Sequence, residues 1–102
     1  MKNGYSVTWS DEALRNLDDI FNYLETNFSE REIRRFARKL DKMVAAIVSQ
    51  PDAFPVLEVK REVRRCVLSK QTTIYYQVLP ERHEISIVTL YDNRKGVLSI
   101  RV

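Results

Sequence analysis

Four cations, Lys60, Arg61, Arg64 and Arg65, fall within six residues, and Arg94 and Lys95 follow further along the chain. A guanidinium presents a planar fork of donors that matches phosphate or carboxylate oxygens. Tyr75, Tyr76 and Tyr91 add rings on which nucleobases can stack. The chemistry within reach is therefore recognition of an anion, either a nucleic-acid backbone or an acidic protein. The same residues also have a plain structural use. Arginines on a strand solvate the open face of a half-covered sheet, and tyrosines fill a core.

Other chemistries lack their parts. His83 is the single histidine and sits in a Pro-Glu-Arg-His turn, where it reads as a solvated surface residue. Cys66 is the single cysteine. Cationic neighbours could lower its pKa, but no histidine stands near it in sequence to serve as base. Histidine, cysteine and carboxylate residues do not recur at metal-ligand spacing, so neither a metal nor a cofactor is expected. Two glycines, Gly4 and Gly96, cannot build a phosphate-cradling loop.

The elements that position these residues are legible from patterning. Tyr5–Trp9 alternates and is rich in strand formers. Ser10 followed by Asp11 and Glu12 is a helix start, with a side-chain cap and acids that suit the dipole. The stripe Ala13, Leu14, Leu17, Ile20, Phe21, Leu24 and Phe28 then recurs at helical spacing. Ser29 with Glu32 forms the S-x-x-E signature of a capping box and opens a second helix. Its apolar stripe runs from Ile33 to Val48, and its other face carries Arg31, Arg34, Arg35, Arg38, Lys39 and Lys42. Gln50-Pro51 ends it, because the residue before proline avoids the helical region.

Residues 51–61 read as a loop. Three strands follow at Val63–Leu68, Thr72–Leu79 and Glu84–Leu90, joined by short turns as an antiparallel meander. Along the second of these, Ile74, Tyr76 and Val78 face one way and Tyr75, Gln77 and Leu79 the other. The start of the first meander strand and the end of the third then fall at opposite ends of the sheet. Residues 97–102 alternate and could add a further edge strand. The expected fold is α+β: an N-terminal strand, an antiparallel helical hairpin, then the meander, with both helices on one face of the sheet. All 102 residues are expected to form one domain.

Composition excludes several classes. Hydrophobic residues make up 44% and charged residues 30%, unlike disordered or collagen-like chains. No apolar run approaches a membrane span. The first residues lack the apolar stretch of a secretory leader, so a reducing cytoplasm is the expected location. The net charge of +3 is polarised: residues 1–29 sum to −3, whereas 30–50 and 51–102 each sum to +3. That asymmetry suggests an anionic partner.

The order of elements, with the stretch Val63-Arg64-Arg65-Cys66-Val67-Leu68 through Thr73-Ile74-Tyr75-Tyr76-Gln77-Val78 and the ending Leu90-Tyr91-Asp92-Asn93-Arg94, resembles the RelE/ParE superfamily. These are toxins of bacterial type II toxin–antitoxin modules, often described as plasmid stabilisation proteins. The resemblance covers nearly the whole chain. It implies neutralisation by a cognate antitoxin in a toxin–antitoxin hetero-oligomer. It also implies one of two activities once freed: ParE-like inhibition of DNA gyrase, or RelE-like cleavage of mRNA on the ribosome through metal-free attack of a 2′-hydroxyl.

In the nuclease case the resemblance assigns catalysis to Arg64, Tyr91 and Arg94. Lys60, Arg61, Arg65 and Lys95 would then bind RNA or a partner. Two groups of the nuclease pattern are missing. Thr73 stands where RelE-like nucleases carry an arginine, and no aromatic residue follows Arg94. The Leu90–Arg94 ending looks like the ParE side of the superfamily, which slightly favours gyrase. A degenerate toxin that only binds antitoxin is the third reading.

Overall fold

A computed structural model describes residues 4–93. Its elements are β1 (Ser6–Trp9), α1 (Asp11–Asn27), α2 (Glu30–Ser49), β2 (Val63–Val67), β3 (Thr72–Leu79) and β4 (Glu84–Asp92), with a short 3-10 turn at Pro80–Arg82. Arg94, Lys95 and the candidate strand at 97–102 lie outside the described residues. No helix among the described residues is long and apolar enough to cross a membrane.

Both helix starts follow from their serines. The Ser10 hydroxyl accepts from Ala13 N–H at 2.9 Å and donates to the Val88 carbonyl at 2.7 Å, so one side chain caps α1 and pins it to β4. Ser29 and Glu32 form the reciprocal capping box, which satisfies two otherwise orphaned groups.

The sheet has the order β1-β4-β3-β2. The meander β2-β3-β4 is antiparallel, as expected, and β1 adds to it in parallel beside β4. Local periodicity carries no information on that long-range pairing. β4 is two residues longer than the expected Glu84–Leu90, because Thr73 pairs with Tyr91 and Thr72 with Asp92. A bulge explains the early end of the pattern. Tyr75 pairs with Thr89 but Tyr76 with Ile87, which leaves Val88 as the extra residue and shifts the alternation. β2 ends one residue early, at Val67, where Leu68 turns into the hairpin.

Ala13, Leu40 and Ile47 from the helices meet Cys66, Leu68, Ile74, Tyr76, Ile85, Ile87 and Leu90 in one core cluster. Both helices therefore cover the Ile74/Tyr76 face. Two members of the expected α1 stripe do not follow: Leu14 is 50% and Phe28 42% exposed. Phe28 is the residue that caps the end of α1, so it lies beyond the helical period. β1 ends at Trp9, and α1 supplies β4's next edge partner. Asn16 Oδ1 accepts from the Thr89 hydroxyl at 2.7 Å and from Leu90 N–H at 3.1 Å.

His83 is exposed as expected, yet it is held. It takes a left-handed conformation with φ of 52°, which histidine tolerates better than most residues. Its ring stacks on Tyr5 with centroids 4.9 Å apart.

Candidate functional site

Arg64 and Arg65 are neighbours in sequence and, as strand residues, project to opposite faces. Arg64 pairs with Tyr76 across to β3, and its guanidinium reaches the loop that follows α2. Nη1 donates to the Phe54 carbonyl at 2.7 Å and to the Asp52 carbonyl at 3.2 Å, while Nη2 lies 3.5 Å from an Asp52 carboxylate oxygen. The side chain is 24% exposed. Tyr76 binds the same loop. Its hydroxyl donates to the Pro51 carbonyl at 2.7 Å, and its ring meets Phe54 edge-on. Burial raises the Tyr76 phenol well above its ordinary value, against the opposing pull of Arg64. Arg64 and Tyr76 together clamp residues 51–56 onto the sheet.

Arg65 points to the face away from the helices, opposite Tyr75. Tyr75 sits between β2 and β4 and is 8% exposed. Burial raises its phenol pKa, the Arg65 guanidinium pulls it back, and Tyr91 pushes it up further. The register sets the same grouping: Arg65 lies directly opposite Tyr75, and Tyr91 stands two residues beyond Tyr75's partner Thr89 on the same face. Tyr91 is half-buried and pairs with Thr73. Arg65 is exposed and forms no ion pair among the described residues. The face thus joins one available cation to two phenols, an arrangement suited to gripping an anionic or hydrogen-bonding surface.

The end of β4 is fixed beside this group. Thr73 Oγ1 donates to Asn93 Oδ1 at 2.9 Å, Asn93 Nδ2 donates to the Lys70 carbonyl at 3.2 Å, and Asn93 N–H donates to the Gln71 carbonyl at 2.7 Å. Thr73 thus ties the end of β4 to the β2–β3 hairpin. The hairpin itself is held by Ser69, whose hydroxyl accepts from the N–H groups of Gln71 and Thr72.

The candidate site residues therefore divide. Arg65 and Tyr91 are brought together around Tyr75, a residue the sequence offered for base stacking but not as part of the site. Arg64 and Tyr91 are not brought together. The register sets Arg64 level with Ile87 and Val67 level with Tyr91, so two strand spacings and three residues of rise separate their Cα atoms by about 14 Å. They also occupy opposite faces. Lys60 and Arg61 stand before β2, where Val63 N–H bonds the Lys60 carbonyl, at the other end of the sheet from Tyr91. Among the described residues no group of histidine, cysteine or carboxylate side chains could hold a metal ion. Cys66 is buried, and burial raises its thiol pKa.

A cleft of about 480 Å³ opens on the helix side of the same sheet end. Ile20, Tyr23, Leu24, Phe28, Phe36 and Leu90 give it apolar walls, with Asp19 and Asp92 among the polar ones. Tyr23 is 51% exposed.

A family profile described as "ParE toxin of type II toxin-antitoxin system, parDE" matches residues 7–95. The chain belongs to the ParE toxin family. No curated protein sequence matches it. The fold of this ParE-family toxin is similar to a chain of the chromosomal ParDE toxin–antitoxin system from P. aeruginosa, with TM-score 0.69, 20% identity, and 86% of this chain and 95% of that one covered. It is similar to a chain of the RelBE2 toxin–antitoxin complex from Mycobacterium tuberculosis at TM-score 0.62 and 14% identity, covering 88% and 99%. The isolated E. coli RelE toxin gives TM-score 0.57 at 14% identity, covering 86% and 83%. The likeness to both ParE and RelE toxins shows a shared α+β scaffold.

Proposed function

We propose that this ParE-family toxin acts in the cytoplasm by binding and blocking a partner enzyme, DNA gyrase, rather than by cutting RNA. Arg65, Tyr75 and Tyr91 form the contact face. The observation that carries this reading is the commitment of Arg64. A nuclease of the RelE type needs cations converging on the scissile phosphate and a proton donor within reach. Arg64 instead spends its donors on loop carbonyls, about 14 Å along and across the sheet from Tyr91. Thr73, where the nuclease pattern has arginine, is bonded to Asn93. A binding face needs only complementary groups at the surface, which the exposed Arg65 beside the half-buried Tyr91 supplies.

The same reading includes a cognate antitoxin in a hetero-oligomeric complex. An amphipathic antitoxin segment would lay its apolar anchors in the cleft beside α1. Tyr23 and Phe28, which line that cleft, are exposed large hydrophobics, and such a surface favours an apolar partner.

The test is induced expression without the antitoxin, followed by pulse labelling of DNA and protein synthesis. Arrest of DNA synthesis first, with translation intact, is the expected result. Immediate arrest of translation with cleaved ribosome-bound mRNA would overturn it in favour of a nuclease.

A further inference from the structure

The strongest charge on the described surface is not at the sheet. Arg31, Arg34, Arg35, Arg38, Lys39 and Lys42 are all exposed on α2. At 3.6 residues per turn they occupy about 140° of arc and about 16 Å of helix length. The acids of α2, Glu30, Glu32 and Asp41, fall at the margins of that arc rather than within it. Arg34 pairs with Glu30. The other five cations have no ion pair or side-chain hydrogen bond among the described residues. Like charges packed this closely repel one another, so the ridge costs helix stability that the capping box and the buried stripe must offset.

We propose that the α2 ridge binds the phosphate backbone of double-stranded DNA. Its charge density is the first argument. Six cations over about 16 Å give one per roughly 3 Å, close to the ~3.4 Å axial spacing of charges along one strand of B-DNA. Its poverty in everything else is the second. A protein interface uses arginine but is anchored by apolar or aromatic residues in a dry centre. The exposed large hydrophobics of the described residues, Leu14, Tyr23, Phe28, Val59 and Val67, all lie off α2. The arc also carries no ring for stacking a single strand. Between residues 30 and 42 it holds no hydroxyl or amide side chain of the kind that reads the 2′-OH of duplex RNA. What remains is a sequence-independent phosphate contact. It stands apart from the choice of toxin target, because α2 presents it on the helix side of the molecule and the Arg65/Tyr75/Tyr91 face lies on the other.

Fluorescence anisotropy with the purified full chain and a labelled 24-base-pair mixed-sequence duplex tests this. Five or so phosphate contacts predict a log–log salt slope near −4.5, and an affinity loss of about 10²–10³-fold between 50 and 200 mM salt. The Arg31→Gln/Arg35→Gln/Arg38→Gln variant should lose about 3 from the slope. The Arg15→Gln/Lys70→Gln/Arg82→Gln variant, with the same change in net charge, should keep the wild-type slope. Circular dichroism confirms that each variant retains its helices, since glutamine is a good helix former. Equal losses in the two variants, or a flat salt dependence in the wild type, would overturn the proposal. Tighter binding of duplex RNA or of a poly-glutamate peptide than of duplex DNA would overturn the choice of partner.

Discussion

Arg64 and Arg65 share a strand, a residue type and a peptide bond, yet they serve opposite ends of the molecule's economy of contacts. Arg64 turns inward over the loop at 51–56 and gives its N–H groups to backbone carbonyls. Arg65 turns outward beside Tyr75, exposed and without an ion pair among the described residues. The difference teaches that strand parity, not residue type, decides which cation is structural. A single step along β2 exchanges one role for the other.

The largest expected effect falls on the outward side. Arg65→Ala combined with Tyr91→Phe should raise survival upon induction by about 100-fold or more, because the face loses both its cation and a hydroxyl. The thermal midpoint should fall by less than it does for Arg64→Ala, since Arg65 is exposed and Tyr91→Phe removes only a hydroxyl from a half-buried ring. Survival counts alongside a thermal melt check this. Strong destabilisation would erase the distinction between the two arginines.

Arg64→Ala should give the reverse pattern. Removing a charged donor from two carbonyls costs about 2–3 kcal/mol, which for a domain of this size lowers the midpoint by ~10–20 °C. Residues 51–56 should then become open to limited proteolysis. An unchanged melt would show that the clamp contributes nothing.

Asn16→Ala is the next smaller effect. The Thr89 hydroxyl and the Leu90 N–H lose their acceptor, and about 1–2 kcal/mol should follow, read by denaturant titration. Hydrogen exchange at Leu90 should speed up, because α1 then no longer closes the edge of β4.

The smallest difference is one of pH, and it separates the tyrosines of the two faces. Burial raises both Tyr75 and Tyr76 in the fold, while in the unfolded chain they ionise near pH ~10. The unfolded state therefore releases protons first, so stability is full below about pH 10 and declines as pH climbs above it. Tyr76, the more strongly raised, should set most of that slope. Tyr76→Phe should flatten the alkaline decline more than Tyr75→Phe does, as measured by denaturant midpoints from pH 8 to 11.

Much of the fold could be read from local signals. Ser10 and Ser29 announce their helices through capping chemistry that needs only three or four neighbouring residues. The β3 strand was legible at both ends, because apolar alternation and turn residues coincide there. The longer range was not. β1 gives no sign of which strand it joins, and the Val88 bulge hides the last turn of β4 by breaking its phase. Within the candidate site, Arg65 and Tyr91 were visible as residue types. Tyr75 was visible only as a ring, since its place between them depends on register. Arg64 was the hardest to place. Its partners are main-chain carbonyls in an aperiodic loop, and carbonyls have no residue signature.

The parallel pairing of β1 with β4 sets the order in which this toxin can become itself. Its ties span almost the whole chain: the hydroxyl of Ser10 reaches a carbonyl 78 positions downstream. Of the described elements β1 is made first during synthesis, and its strand partner β4 last. Loop closure over such a distance is slow compared with local contacts, so the helical hairpin can form long before the sheet is complete. Tyr91 also reaches its face only in that closing step. A translation product that stops short of β4 carries the α2 cations and the hairpin but neither the strand beside β1 nor the Asn16 and Ser10 ties to β4.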